Sequence, residues 1–323
     1  MSVIVTGAAG FIGYHVSRAL LARGQRVIGV DNLNDYYEVG LKEARLGQLD
    51  AMRGFDFIKA DISDRDAMFA LAEAYPDAQG IVHLAAQAGV RYSQINPYAY
   101  IQSNVMGQVV VLEMARRLKQ LRHVVYASSS SVYGGNTEMP FSIGQPVERP
   151  ISLYAATKRA DELIGYTYAH LYGLPLTGLR FFTVYGPWGR PDMAPMLFAR
   201  AILAGEPIRV FNHGEMQRDF TFINDIVDGV LRALDRPPTG APPHVVYNLG
   251  NNRSERLLDF IAAIEAALGC KAQMRLEPMQ PGDVPATFAD IEATREALGY
   301  EPRTPIEVGV PEFVAWYRTH YGA

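Results

Sequence analysis

Tyr154 and Lys158 stand four residues apart in Leu153–Leu163, a stretch without internal Gly or Pro and rich in helix formers, so both should project from one helical face. A phenol with a solution pKa of about 10 is a poor base at neutral pH, and an ammonium held beside it favours the phenolate. Such a tyrosine can take a proton from an alcohol while a hydride leaves the same carbon. Alone, Tyr-x-x-x-Lys also arises by chance in helices, with the Tyr packed and the Lys in solvent. Here the preceding strand ends in Ser128-Ser129-Ser130-Ser131, which brings hydroxyls to the C-terminal edge of a strand, where open parallel sheets place their sites.

The elements that must position this pair read as strands alternating with helices. Ser2–Thr6 is a β-branched run, and Gly7-Ala8-Ala9-Gly10-Phe11-Ile12-Gly13 follows it and opens an amphipathic segment that stops near Gly24. Gly7 permits the tight turn, Gly10 lets backbone approach a pyrophosphate, and Gly13 lets the helix pack on the strand. The next strand, 26–30, ends at Asp31-Asn32. An acidic side chain there accepts hydrogen bonds from the adenosine ribose and repels a 2′-phosphate, which predicts NAD rather than NADP; a turn or capping aspartate is the alternative for Asp31 alone.

From Asn32 to Arg53 the chain is polar, tyrosine-bearing and then helical. A strand over 56–60 leads to Asp61-Ile62, where a third strand's edge would touch adenine. A strand over 80–87 ends in Leu84-Ala85-Ala86-Gln87, small enough for backbone to lie against the dinucleotide. Within it His83 reads as a core imidazole, and Arg91 just beyond faces either ligand or solvent. A helix over 100–119, the serine-bearing strand 123–127 and a strand over 176–182 that carries Phe181 complete the series.

This alternation predicts an α/β fold with a doubly wound parallel sheet and a second, smaller α/β substrate lobe. Residues 1–182 would form the dinucleotide-binding domain, with 222–250 returning to it through a strand over 244–249. Residues 183–323, punctuated by Pro278, Pro281 and Gly282, would form the interleaved lobe that closes a cleft for a large substrate.

The composition of 323 residues is 49% apolar and 20% charged, which fits a globular protein, and a net charge of −4 offers no broad surface for nucleic acid. The single cysteine, Cys270, fits a reducing compartment and belongs to no metal-ligand cluster. No apolar run is long enough to span a bilayer and no signal core precedes Gly7, so a cytoplasmic protein is expected.

Taken together, the loop Gly7–Gly13, His83-Leu84-Ala85-Ala86, Ser129, Tyr154 with Lys158, and Arg218-Asp219-Phe220 resemble the extended short-chain dehydrogenase/reductases. Within that superfamily the chain resembles the nucleotide-sugar 4-epimerases, and UDP-glucuronate 4-epimerases most closely, over about residues 2–320. The resemblance implies a tightly held NAD regenerated in each turnover. Tyr154 is then the base, Lys158 holds the nicotinamide ribose, and Ser129 bonds the reacting sugar hydroxyl. Phe211 and the backbone around Arg209 match the uracil-contacting strand, Arg218 a pyrophosphate-binding arginine and Asp283 a polar nucleotide contact. Gln280 stands where UDP-galactose 4-epimerases have a second phosphate-binding arginine. The resemblance also implies a homodimer through helices near 100–119 and 152–172.

Three fates await a 4-keto sugar beside a reduced nicotinamide: loss of water, loss of carbon dioxide, or return of the hydride. Dehydratases of the superfamily place an Asp-Glu pair after the catalytic Ser or Thr, and its decarboxylases place a Glu there. This chain has Ser130 and Ser131, and neutral hydroxyls cannot replace a general acid/base pair. Epimerisation remains. Ser129, Ser130, Ser131, Thr183 and Arg190 form a hydroxyl-rich cradle with one cation, which points to a C5 carboxylate and hence to interconversion of UDP-glucuronate and UDP-galacturonate; Arg190 paired with Asp192 is the alternative. A UDP-glucose or UDP-N-acetylglucosamine 4-epimerase is the runner-up. A non-catalytic NAD-binding sensor would have no need of Ser129, Tyr154 and Lys158.

Overall fold

The computed structural model describes residues 1–280 and 282–322, and Pro281 lies outside the described residues. A seven-stranded parallel sheet is built from β1 (Ser2–Thr6), β2 (Arg26–Asp31), β3 (Phe55–Lys59), β4 (Ala78–His83), β5 (His123–Ser129), β6 (Leu176–Phe181) and an edge strand, His244–Leu249. Its spatial order is edge strand, β6, β5, β4, β1, β2, β3. The strands are apolar on both faces, and successive residues serve different cores. Val3 and Val5 pack with α1 (Phe11–Ala22), α2 (Val39–Asp50) and helix Ile223–Leu234. Ile4 packs with α3 (Arg65–Ala74) and helices Gly107–Ala115 and Leu153–Tyr172. That two-residue period is what a sheet covered on both sides requires.

The chain leaves β1 toward β3 and returns to β4 on the other side of β1. This reversal opens a crevice at the C-terminal strand ends. Backbone from the two sides meets there: a Cβ on Gly7, whose φ is +72°, would stand 2.8 Å from Ala85 N. No residue but glycine fits both the left-handed turn and that approach.

Smaller pairings follow β6. Thr183–Tyr185 lies parallel to Phe220–Phe222, Ile208–Val210 parallel to Met274–Leu276, and Gln217–Arg218 antiparallel to Glu255–Arg256. Helix Ile306–Tyr321 packs on Leu257–Leu268. No helix among the described residues is long and apolar enough to cross a membrane.

Two expected elements differ. The strand expected over 80–87 leaves the ladder at His83: Leu84 N still reaches Thr6 O, but Ala85 N turns to the Thr6 hydroxyl. The helix expected over 100–119 has π-helical turns at Ile101–Met106 and ends at Ala115. Buried Asn104, within those turns, grips Gln87 through N–H (2.8 Å) and C=O (3.1 Å) and donates to the Thr157 hydroxyl.

Candidate active site

A cavity of about 990 Å³ runs along the C-terminal strand ends and is closed opposite by residues of helix Ala194–Leu203 and the segment Pro207–Phe211. At one end lies the glycine loop. Gly10 precedes α1 without a side-chain cap, and the first turn of α1 holds no acidic residue. Its open main-chain N–H groups and the positive end of the helix dipole therefore suit an anion.

Asp31 stands beside the loop, accepting from Ala9 N at 3.2 Å and Leu33 N at 2.9 Å. Asn32, Ile62, Leu84, Ala85, Ala86 and Gln87 line the cavity. Asp61 does not. Its carboxylate accepts from the Asn32 amide at 2.8 Å and from the Ser63 N–H and hydroxyl. Burial works to raise this carboxyl, but those donors win and hold it below the usual range.

Ser152 caps helix Leu153–Tyr172 by accepting from Ala155 N at 3.1 Å, which sets Tyr154 in the first turn. Its ring meets Tyr100 edge-on at 6.1 Å. Buried Lys158, one turn along, donates to Ala127 O at 3.0 Å and Asp161 Oδ2 at 3.1 Å. Burial pushes the Asp161 carboxyl up to about 6, against the opposing pull of Lys158. The Ser129 hydroxyl ends β5 and accepts from Ser131 N at 3.1 Å. Ser128 instead donates to Glu162 at 2.7 Å, inside a buried cluster with Arg180. His83 is a core imidazole bonded to the Thr6 hydroxyl, with burial lowering its pKa to about 3.

At the far end, the Phe211 ring lies beneath the guanidinium groups of Arg91 (4.5 Å) and Arg209 (4.9 Å). Arg91 reaches Asp283 at 3.0 Å, and Arg209 reaches Glu277 at 2.6 Å. Arg218 bonds only main-chain carbonyls, of Gln217 and Pro285, and forms no ion pair among the described residues. It is the cation best placed to take up a phosphate charge.

Arg190 and Thr183 line the same cavity as Ser129, Ser130 and Ser131, with Phe181 nearby on its wall. Arg190 is also half of an ion pair with Asp192, through Nε at 3.1 Å and Nη2 at 2.6 Å, and the Tyr36 hydroxyl donates to that carboxylate at 2.9 Å. The alternative reading of Arg190 thus holds for this geometry, while its place on the cavity wall stands. Tyr36 and Lys42 are wall residues that the sequence did not single out, their signal being the polar, tyrosine-bearing stretch after Asp31. Asp192, expected only as a partner of Arg190, also lines the wall.

Comparison with known proteins decides the family. The model described as "NAD dependent epimerase/dehydratase family" matches residues 3–250. The chain belongs to this family. UDP-glucuronate 4-epimerase 2 of Arabidopsis thaliana is 47% identical over 334 residues, covering 99% of this chain and 76% of that protein. A crystal structure of UDP-glucuronic acid 4-epimerase from Bacillus cereus with UDP-glucuronic acid and NAD is similar with a TM-score of 0.92 and 32% identity, covering 99% of this chain and 100% of that one. The UDP-glucose 4-epimerase of Thermotoga maritima with UDP-glucose is similar with a TM-score of 0.87 and 29% identity, covering 99% and 100%.

The cofactor of the epimerase/dehydratase family is NAD, and the residues present fit it. The uncapped start of α1 offers N–H donors for a pyrophosphate, Asp31 stands at the end of β2 for a ribose, and the cavity continues from there to Tyr154 and Lys158.

Proposed function

We propose that this chain is an NAD-dependent isomerase, a 4-epimerase that interconverts UDP-glucuronate and UDP-galacturonate through a transient 4-keto sugar. The observation that carries the reading is one cavity wall on which Ser129, Ser130, Ser131, Thr183 and Arg190 gather beside Tyr154, with no carboxylic acid following Ser129. The Arabidopsis and Bacillus relatives named for this activity support it.

NAD, when bound, accepts hydride from C4 and returns it. The chain's residues do the rest. Tyr154 takes the C4 hydroxyl proton and later gives it back, with the Lys158 ammonium compensating the phenolate charge. Ser129 orients that hydroxyl. Phe211 and Arg209 hold the uracil end, Arg218 the diphosphate, with Arg91 and Asp283 at its rim. Gly7, Gly10, Phe11, Ile12, Gly13, Asp31, Asn32, Asp61, Ile62, Leu84, Ala85, Ala86, Gln87 and Phe181 would surround the cofactor, with the Asp61 carboxylate held by the Asn32 amide.

Oxidation at C4 produces a β-keto acid, which loses carbon dioxide when the carboxylate bond aligns with the carbonyl π system. The hydroxyls and Arg190 hold it out of alignment. Rotation of the keto sugar and hydride return to its other face then complete the epimerisation.

One observation favours a neutral sugar instead. With Asp192 already on Arg190, a UDP-glucose 4-epimerase would need no rearrangement there. Incubation with UDP-glucuronate, UDP-glucose and UDP-N-acetylglucosamine, with products read by NMR, separates the readings. A galacturonate epimer formed fastest from UDP-glucuronate is expected, and faster turnover of either neutral sugar refutes the carboxylate reading.

The proposal extends to organisation. Residues 1–182 with 222–250 would serve the cofactor and the remainder of 183–323 the sugar nucleotide, supported by the edge strand's place in the sheet. A homodimer is supported by exposed Ile101, Met106, Leu163, Tyr166 and Leu171 on the two helical segments expected to pair. Work in a cytoplasm suits an exposed, unpaired Cys270.

A further inference from the structure

Arg45, on α2, is fully buried and forms no ion pair among the described residues. A buried guanidinium without a carboxylate is unusual, because its desolvation must be met by hydrogen bonds and, here, by the Tyr37 ring 5.7 Å away. Here those bonds go to two loops far apart in sequence. Nη1 donates to Ala9 O at 2.8 Å, inside the glycine loop, and to the Tyr37 hydroxyl at 2.9 Å. Nη2 donates to Trp188 O at 2.7 Å and Gly189 O at 3.2 Å. Nε has no partner.

Both receiving loops bear on the cavity. Ala9 lies between the glycines of the cofactor loop, and its own N–H is held by Asp31. Trp188 and Gly189 immediately precede Arg190. Trp188 has φ of +60°, a left-handed conformation that a tryptophan adopts only when its surroundings hold it there. His15 on α1 adds a bond to Pro187 O at 2.9 Å, but that bond ends on one loop only. Among the described residues the hydrogen bonds of the Arg45 fork alone reach main-chain carbonyls of both loops, a span suited to a planar group with donors on both terminal nitrogens.

We propose that Arg45 is a positioning residue that couples the cofactor loop to the loop carrying Arg190, so that a seated dinucleotide fixes where Arg190 stands toward the sugar. The part that concerns the sugar rests on the carboxylate reading of Arg190; the coupling itself does not.

Hydrogen exchange on the holoenzyme, read by mass spectrometry, tests it in wild type, Arg45→Lys and Arg45→Met. Lysine keeps the charge but cannot span both loops. The coupling requires exchange at least tenfold faster in residues 8–10 and 186–193 together, with helix Leu153–Tyr172 unchanged. In kinetics, kcat/KM for UDP-glucuronate should fall at least tenfold more than for UDP-glucose. A merely structural arginine would raise exchange throughout the chain, and that result overturns the coupling; equal losses on both sugars with the local exchange result intact overturn only its extension to the sugar.

If neither variant folds, the wild-type protein still decides. Removing NAD should speed exchange at Trp188 and Gly189, which do not line the cavity, and no change there overturns the coupling. Should Arg190→Ala leave the sugar preference intact while the exchange result holds, the carboxylate reading falls and the brace stands.

Discussion

Replacing Arg190 with Ala should weaken turnover of UDP-glucuronate selectively. A charge-assisted hydrogen bond from a guanidinium to a carboxylate contributes roughly 1.5–3 kcal/mol. Arg190 does not begin free, however: its pair with Asp192 is partly exposed, and such pairs contribute about 0–1 kcal/mol that must be surrendered or shared when the substrate arrives. The net advantage is therefore about 0.5–3 kcal/mol, or roughly 2- to 160-fold in kcat/KM for the carboxylate sugar. Rates for UDP-glucuronate and UDP-glucose, measured side by side on purified protein, give that ratio, and NMR detects any decarboxylated pentose set free when the carboxylate is poorly held. Asp192→Asn should move the ratio the other way, since it removes the competing acceptor's charge and leaves the Tyr36 hydroxyl a partner. Equal losses on both sugars in Arg190→Ala would show that the arginine supports the loop and does not meet the carboxylate.

Tyr154→Phe should keep NAD bound and lose nearly all turnover; more than about a tenth of the rate remaining, an effect under ~1.4 kcal/mol, excludes it as the essential base. Asp31→Ala should lower NAD affinity, narrow the preference over NADP and loosen the glycine loop through Ala9, whereas Asp31→Asn keeps an acceptor oxygen for only one of Ala9 N and Leu33 N and should cost less stability than Asp31→Ala while still weakening cofactor choice. Indifference of both variants to the cofactor would return Asp31 to a turn role. Burial lowers His15, His123 and His244 to about 4 and His83 to about 3. Folded values below the unfolded one mean stability that is present above pH ~6.5 and lost as pH falls toward 4, at most about 3 kcal/mol per histidine. Asp161 and Asp219, both raised to about 6 by burial, act oppositely over pH ~6 to 4, and the histidines outnumber them. Denaturant titrations between pH 7 and 5 should show a shallower pH slope in His123→Gln, and an unchanged slope would mean that this imidazole is not held neutral.

What the sequence made legible was whatever is written locally. The glycine spacing, Asp31 after β2 and the Tyr154/Lys158 period each follow from a few neighbouring residues, and the cavity gathers them. The bonds that Asn32 and Ser63 make to Asp61 were not legible, because the rotation of a side chain at a strand end depends on neighbours brought together by the fold. The π-helical turns around Asn104 answer to Gln87 and Thr157, and no helical period announces them. Arg45 and Asp161 are polar positions on helices that local spacing does not set apart. Their burial is decided by loops and strands that arrive from elsewhere in the chain, so spacing alone could not reveal it.

The late arrival of the edge strand His244–Leu249 has a cost during synthesis. Every residue of β6 is buried in the finished sheet, and its outer edge finds a partner only after about 70 further residues have been made. At ribosomal rates of roughly 5–20 residues per second, that edge waits about 4–14 s with its N–H and C=O groups unpaired. An apolar strand left open in this way invites pairing with another nascent chain. Chains stalled or truncated between Phe181 and His244 should therefore aggregate or recruit chaperones, and slower translation of this stretch should depress the yield of folded protein far more than equal slowing after Leu249.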